Sequence, residues 1–226
     1  MISIDTIYQR VLTLANKEQR GYITPQEYNL FANMAQMEII DQYFYDLNQT
    51  ITNVEPNSTE YSDMTTFIDE KLGVFKKIQD VNIQDNRVSI PNDLYRYGDI
   101  HKDGIHFEEV DYAEYKEMIQ APLTRPTRKR PVYYIQEGKV YPKPTPMGTV
   151  TLSYIKQPAT VRWGYVVVGE KAIYDASTSV NFELHKAEEA ELVYKILKLA
   201  GVSLNKVDLT QTAMAFENSK VQQEKQ

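Results

Sequence analysis

The chain has 226 residues, of which 42% are hydrophobic and 25% are charged, and its net charge is −6. These totals are ordinary for a globular protein that buries a core. The absence of cysteine excludes disulfide bonds, thiolate metal ligands and cysteine nucleophiles. Since no basic segment leads into an apolar run, and no run approaches the ~20 apolar residues of a membrane helix, we expect neither a signal peptide nor a membrane span.

The N-terminal part is predicted to form a helical hairpin. Residues 3–19 carry apolar side chains at helical spacing, and Gly21 is the expected end of this helix. A capping box beginning at Thr24, with Pro25 at the first helical position, predicts a second helix from Pro25 to about Leu47. Its expected buried face consists of Leu30, Met34, Met37, Ile40, Phe44 and Leu47.

A β-rich region is predicted to follow a loop over 48–62 and a short helix over about 63–72. Two dipeptides, Asp85-Asn86 and Asp103-Gly104, are typical of tight hairpin turns between short strands. Asp111 is the expected N-cap of a short helix over 111–119.

The second half of the sequence begins with a proline-rich basic linker over 121–131, for which we predict no regular structure. Strands are predicted on both sides of Glu137-Gly138, over 149–155, and around Gly169 over 161–168 and 171–174. The sequence ends in helices, one over 182–200 that stops at Gly201 and one over about 207–220.

These elements predict an α+β fold, in which helices from both ends of the chain form a bundle around an inserted antiparallel β domain. The predicted domains are an N-terminal helical hairpin over 1–60, a β-rich insertion with short helices over 61–181, and C-terminal helices with an arm over 182–226 that pack on the N-terminal helices.

Candidate reactive residues are few. Asp99, His101 and Asp103 alternate along a predicted strand and lie near His106, which suits either a metal site, as in a metal hydrolase, or the solvated face of a hairpin. The turn at Asp103 favours the surface hairpin. The acidic residues Glu108, Glu109, Asp111, Glu114 and Glu117 fit a helix start better than acid–base chemistry. We therefore expect no catalytic residue, no metal and no cofactor.

Charge is distributed unevenly along the sequence. Residues 1–120 hold 21 acidic and 10 basic residues, whereas residues 121–182 hold 3 acidic and 9 basic ones. The sharpest basic cluster is Arg125, Arg128, Lys129 and Arg130. This cluster is predicted to contact a neighbouring subunit or partner, to face DNA, or simply to be a solvated loop. The acidic balance overall argues against general wrapping of nucleic acid.

Several segments together carry a resemblance to a known family. They are residues 16–29 (NKEQRGYITPQEYN), 88–94 (VSIPNDL), 130–142 (RPVYYIQEGKVYP), 150–158 (VTLSYIKQP), 163–165 (WGY) and 199–202 (LAGV). Taken in order, they resemble the head-to-tail adaptor proteins of tailed bacteriophages, and especially ring and virion structural proteins of crAss-like phages. The similarity covers nearly the whole chain, and the opening segment is its most specific part.

The resemblance implies a virion structural protein without enzyme activity, which forms a dodecameric ring beneath the portal at the portal vertex. Packaged DNA would pass through the ring, and downstream tail or ring proteins would attach to it after assembly in the host cytoplasm. Family members dock a C-terminal helix or arm onto the portal, which here implies contacts by Leu204, Val207, Leu209, Met214 and Phe216. The alternative function is a nucleic-acid-binding or packaging accessory protein that uses the basic loop over 125–130.

Overall fold

The computed structural model describes residues 1–17, 23–53, 59–203, 214–215 and 219. Over these residues the fold is mixed α+β, with five α-helices and a large, mostly antiparallel sheet. The chain forms two compact units. The first unit comprises Met1–Val74 together with Pro158–Gln226, and the second unit is Phe75–Gln157.

The helices and strands have the following bounds in chain order. The helices are α1 (Ile4–Lys17), α2 (Pro25–Asn53), α3 (Thr59–Gly73), α4 (Tyr112–Gln120) and α5 (Glu189–Ser203). The strands are β1 (Lys76–Gln84), β2 (Arg87–Val88), β3 (Leu94–Lys102), β4 (Ile105–His106), β5 (Glu108–Glu109), β6 (Val132–Gln136), β7 (Lys139–Lys143), β8 (Thr149–Lys156), β9 (Tyr165–Val168) and β10 (Lys171–Tyr174).

The start of α2 confirms the predicted capping box. The Thr24 amide donates to a Glu27 carboxylate oxygen at 2.9 Å, and the Glu27 amide donates to the Thr24 hydroxyl at 3.2 Å. The predicted loop over 48–62 is wrong at both ends, because α2 continues to Asn53 and α3 already begins at Thr59. The predicted helix end at Gly21 lies outside the described residues.

The predicted buried face of α2 is wrong at two positions. Leu30 is 61% exposed and Met34 is 44% exposed, whereas Ile40 and Phe44 are buried as expected. The face that α2 buries consists of Tyr28, Ala32, Ala35, Gln36, Ile39, Ile40, Tyr43 and Phe44. Small, aromatic and amide side chains therefore form much of this contact, and a search for leucine and methionine at helical spacing overlooks them.

The helix predicted over 182–200 begins later than expected. Phe182 lies in an extended segment that bridges to Ile2, and His185 caps a single 3-10 turn by accepting from the Ala187 amide at 3.3 Å. Only then does α5 begin, and it continues through Gly201 to Ser203. Most of the last predicted helix, over 207–220, lies outside the described residues.

The first unit contains a buried ion pair. The Lys71 ammonium on α3 lies 2.6 Å from a carboxylate oxygen of Glu188 in the 3-10 turn, and both side chains are almost fully buried. The same ammonium lies 4.3 Å from the ring centre of Phe67. Because separate segments of the chain supply the two charges, the pair fixes how these segments pack.

The second unit is built on an eight-stranded sheet with the order β4-β3-β8-β1-β2-β7-β6-β5. All neighbouring strands are antiparallel except β5 and β6, which are parallel. Buried side chains from the central strands form the core of this unit, and they include Val81, Val140, Val150, Leu152 and Tyr154.

Tight turns join neighbouring strands where the sequence predicts them. Positive φ angles occur at Asp85 (50°), Asn86 (62°), Asp103 (52°), Gly104 (78°), Glu137 (53°) and Gly138 (68°). Two successive residues with positive φ give the turn whose twist matches that of the flanking strands. All three hairpin predictions are confirmed.

The short helix α4 is also confirmed, including its cap. A carboxylate oxygen of Asp111 accepts from the Tyr112 amide at 2.7 Å. Tyr115 of this helix stacks on Tyr134 of β6, with ring centres 5.1 Å apart. This aromatic contact holds α4 against the strand.

Candidate subunit-contact surfaces

A separate hairpin in the first unit carries an exposed aliphatic surface. Among the described residues, strands β9 and β10 form a two-stranded sheet of their own, and the turn between them has positive φ at Gly169 and Glu170. Four large aliphatic side chains on this hairpin are more than half exposed. They are Val166 (54%), Val167 (64%), Val168 (58%) and Ile173 (52%).

The strand register places three of these four side chains on the same face. Residues two apart on a strand share a face, so Val166 and Val168 lie together. Directly paired residues also share a face, and Ile173 is paired with Val166. We call Val166, Val168 and Ile173 the aliphatic face of the hairpin. Lys171, which is paired with Val168, lies on the same side of the hairpin, and Val167 belongs to the opposite face.

The hairpin is anchored at its base by an aromatic cluster around Trp163. The indole ring lies 5.8 Å from the ring of Tyr165 and 5.7 Å from that of Tyr174, which are the first and last hairpin residues. It also contacts Tyr8 at 4.3 Å, and its N–H donates to Asp5 at 2.9 Å. The base is therefore attached to α1 through the ring contact with Tyr8 and the hydrogen bond to Asp5.

Side-chain amides of α2 hold the extended segment that leads into the hairpin. Asn33 donates to the carbonyl of Val161 at 2.9 Å and accepts from the amide of the same residue at 2.9 Å. Asn29, one helical turn earlier, makes the same pair of bonds to Trp163, at 3.3 and 2.7 Å. Gln36 donates to the carbonyl of Ala159 at 3.0 Å. We call this series the amide ladder. Its side-chain amides satisfy backbone N–H and C=O groups of the segment, as a neighbouring strand would do in a sheet.

A hydrogen-bonded turn closes the other side of the hairpin base. A carboxylate oxygen of Asp175 accepts from the amide and hydroxyl of Ser177, at 2.9 and 2.7 Å. The other carboxylate oxygen accepts from the hydroxyl of Thr178 at 2.9 Å. These hydrogen bonds hold the pKa of Asp175 below its ordinary value.

The lowered pKa of Asp175 predicts a pH-dependent contribution to stability. Because this carboxyl binds a proton more readily in the unfolded chain, its stabilising contribution is complete above about pH 4 and is lost as the pH falls through the folded-state pKa. We expect Asp175→Asn to destabilise the protein at about pH 7 and to destabilise it less at about pH 3, where part of the contribution has been lost. Urea unfolding followed by Trp163 fluorescence measures both, and equal destabilisation at the two pH values would contradict the prediction.

A groove between α1 and α5 is a second surface of the first unit. Its volume is about 400 Å³, and its lining consists of Gln9, Arg10, Thr13, Leu14, Ala190, Val193 and Tyr194. Leu14 is 38% exposed, and Arg10 forms an ion pair with Glu189 at 2.8 Å. The groove therefore combines an apolar floor with a charged pair.

The predicted basic cluster lies in the second unit, and its residues differ in what they contact. The Arg125 guanidinium donates to the carbonyl of Ile119 at 3.1 Å and so caps the C-terminal end of α4. Thr127 and Arg130 exchange two backbone hydrogen bonds, at 3.1 and 3.2 Å, which close a tight turn. Arg128 and Lys129 lie at the tip of this turn, and we call the segment 127–130 the basic turn.

A cavity of about 430 Å³ lies beside the basic turn in the second unit. Its lining combines two cations, Lys102 and Arg128, with the carboxylate of Asp103 and the apolar residues Phe107 and Met147. The Lys102 ammonium donates to the carbonyl of Met147. Arg128 of the basic cluster thus lines this cavity.

The predicted portal contacts lie mostly beyond what the structure describes. Leu204, Val207, Leu209 and Phe216 are outside the described residues, and Met214 is 40% exposed. Their role stays a prediction.

Of the histidines and acidic residues singled out in the sequence, some lie on strands of the second unit and others lie in α4 or directly before it. Those on strands are Asp99, His101, His106, Glu108 and Glu109, whereas Asp111 caps α4, and Glu114 and Glu117 lie on this helix. His101 and His106 are directly opposite each other on β3 and β4, and Asp103 lies in the turn between them. Glu109 accepts a hydrogen bond from the Tyr133 hydroxyl at 3.0 Å. Across the described part of the chain, no group of three or more acidic or histidine side chains is placed to hold a metal ion.

No protein-family model matches the sequence, and no curated protein matches it. Among the helices within the described ranges, none combines the length and apolar character needed to cross a membrane.

The hairpin surface is the feature that sequence reasoning missed. The sequence predicts a strand over 161–168 that continues the second β region, whereas only Tyr165–Val168 forms a strand, in a separate two-stranded sheet. Three consecutive valines, Val166, Val167 and Val168, lie in this strand. A short β-branched run without charges, ending in a glycine turn, is typical of a strand that needs a partner. This run of valines is the feature of the sequence from which the exposed hairpin surface could have been predicted.

Proposed function

We propose that this protein is a bacteriophage virion structural protein, a head-to-tail adaptor that forms a ring beneath the portal and extends the DNA channel. The proposal combines the resemblance of the sequence with one structural observation, the exposed aliphatic face of the β9–β10 hairpin. In the proposed ring, helices from the two ends of the chain form a bundle and the β-rich region is inserted into it.

The aliphatic face supports an assembly role because such a surface is unfavourable in water. An isolated two-stranded sheet is marginally stable, and its edges and aliphatic side chains tend to pair with another chain. Here the hairpin base is fixed by Trp163 and the amide ladder, so the exposed side chains are presented on a rigid support. Rigid presentation lowers the entropic cost of binding.

The charge distribution also supports a ring of identical copies. A head-to-tail contact joins two unlike surfaces, and opposite charges on these surfaces fix their register. The acidic residues of 1–120 and the exposed basic turn supply both signs on one chain.

The proposal predicts ring-shaped particles. We expect negative-stain images of the purified chain mixed with the portal protein of the same virus to show rings bound to portals. Ile173→Lys, which places a charge on the aliphatic face, should weaken this assembly about tenfold or more, a loss of at least about 1.4 kcal/mol. Val167→Lys is the matched control, because it adds the same charge to the opposite face of the same hairpin.

Two results would contradict the adaptor role. The first is a chain that forms no ring and does not bind the portal under any condition. The second is a virion map in which this chain is absent from the portal vertex.

The exposed basic turn favours one second candidate, a nucleic-acid-binding or packaging accessory protein. Arg128 and Lys129 at its tip are positioned to contact phosphate groups. This candidate predicts DNA binding by a soluble monomer that weakens steeply with salt and is lost in the triple variant Arg128→Glu, Lys129→Glu and Arg130→Glu. In the adaptor, the same triple variant should instead weaken assembly.

A further inference from the structure

We propose that the aliphatic face of the hairpin in one copy docks into the α1–α5 groove of the next copy. This inference rests on the proposed function, since it assigns the two surfaces that would meet in a ring of identical subunits. Both surfaces belong to the first unit, so every copy carries one of each.

The groove matches the hairpin in its chemistry. Its apolar floor includes Leu14 and Val193, and the small side chain of Ala190 leaves room for an incoming β-branched side chain. A volume of about 400 Å³ lies in the size range of pockets that bury small organic groups. The incoming side chains would be Val166, Val168 and Ile173.

The charges beside the two surfaces are complementary. Arg10 lines the groove and forms an ion pair with the partly exposed Glu189, which precedes the lining residue Ala190. The hairpin carries Glu170 in its turn and Lys171 as the next residue, so it also offers one charge of each sign. Exchange of partners, Glu170 with Arg10 and Lys171 with Glu189, would fix the direction in which the hairpin enters the groove.

A second copy of the chain is the occupant that these observations favour. A projecting hairpin and a concave groove are unlike surfaces, and a contact between unlike surfaces is head-to-tail, which is the kind that generates rings. A stable interface buries about 800 Å² on each partner, more than one short hairpin offers. The contact is therefore the anchor of a larger interface.

The absence of native cysteine makes the contact directly testable by cross-linking. One batch of the full chain carries Leu14→Cys and another carries Ile173→Cys, and the two are mixed, assembled with the portal protein and oxidised. We expect a disulfide-linked dimer in the mixture and none in either batch alone. The matched control replaces Ile173→Cys with Leu123→Cys, an almost fully exposed position that should give no dimer.

Each other outcome overturns the inference. Rings that form without the Leu14–Ile173 cross-link would show that a different surface mates, while the adaptor role would stand. An internal disulfide in a single chain that carries both Leu14→Cys and Ile173→Cys would show that the hairpin covers its own groove. A Leu14→Cys thiol that resists alkylation in the dissociated chain would assign the groove to another segment of the same chain. Absence of assembly with the portal would overturn both the inference and the proposed function.

Discussion

Replacing Lys71 by methionine should lower the free energy of unfolding by about 3–5 kcal/mol, because it removes the cation that lies beside the buried Glu188 carboxylate. The two side chains lie 2.6 Å apart and almost fully buried, so the carboxylate cannot recover its hydration without opening the structure. Methionine keeps much of the lysine volume, and the loss therefore reports charge more than packing. Urea unfolding followed by the fluorescence of Trp163 measures the change.

Two variants control for a general loss of packing. The double variant Lys71→Met and Glu188→Gln removes both charges, and we expect it to recover at least half of the loss. Arg10→Ala breaks the exposed pair with Glu189 and should cost less than about 1 kcal/mol. A double variant no more stable than Lys71→Met alone would contradict the electrostatic explanation.

Substitutions in the amide ladder should have the next largest effect. Asn33→Ala removes both hydrogen bonds to Val161 and should destabilise the protein by about 1–3 kcal/mol, because the Val161 amide and carbonyl lose their partner. The double variant Asn29→Ala and Asn33→Ala should lose about twice as much, since the same pattern is removed at Trp163. Urea unfolding gives the energies, and a red shift of tryptophan emission would show that the hairpin base has loosened.

An isosteric variant separates hydrogen bonding from volume. Asn33→Asp keeps the acceptor for the Val161 amide but places a carboxylate oxygen against the Val161 carbonyl, where the amide donates in the native chain. We expect Asn33→Asp to be at least as destabilising as Asn33→Ala at neutral pH, and less so where the carboxyl is protonated. An Asn33→Asp variant as stable as the native chain would show that the ladder contributes little.

Local chemistry explains which parts of the fold were predictable. The capping box at Thr24, the N-cap at Asp111 and the turn at Asp85-Asn86 depend on neighbouring residues alone, and all three are confirmed. The buried face of α2 depends on what packs against it, so Leu30 and Met34 were assigned to the wrong side. Propensity and periodicity carry no information about a partner segment more than 120 residues away.

The candidate surfaces also include features that the local sequence predicts and features that depend on distant segments. The exposure of Arg128 and Lys129 follows from a polar, proline-rich segment, and the sequence predicts it. The use of Arg125 as a helix cap depends on where the end of α4 lies in space. The amide ladder is least predictable, because Asn29 and Asn33 resemble solvent-facing polar residues until segment 159–163 is known to lie along α2.

The amide ladder also couples the position of the hairpin to that of α2. Two asparagines one turn apart fix the backbone on both sides of Arg162, and the indole hydrogen bond to Asp5 ties the same segment to α1. If α2 tilted or rotated about its axis, segment 161–163 would move with it. The exposed valines of the hairpin would then change position. A force applied to the helix would redirect the tip without any contact at the tip itself.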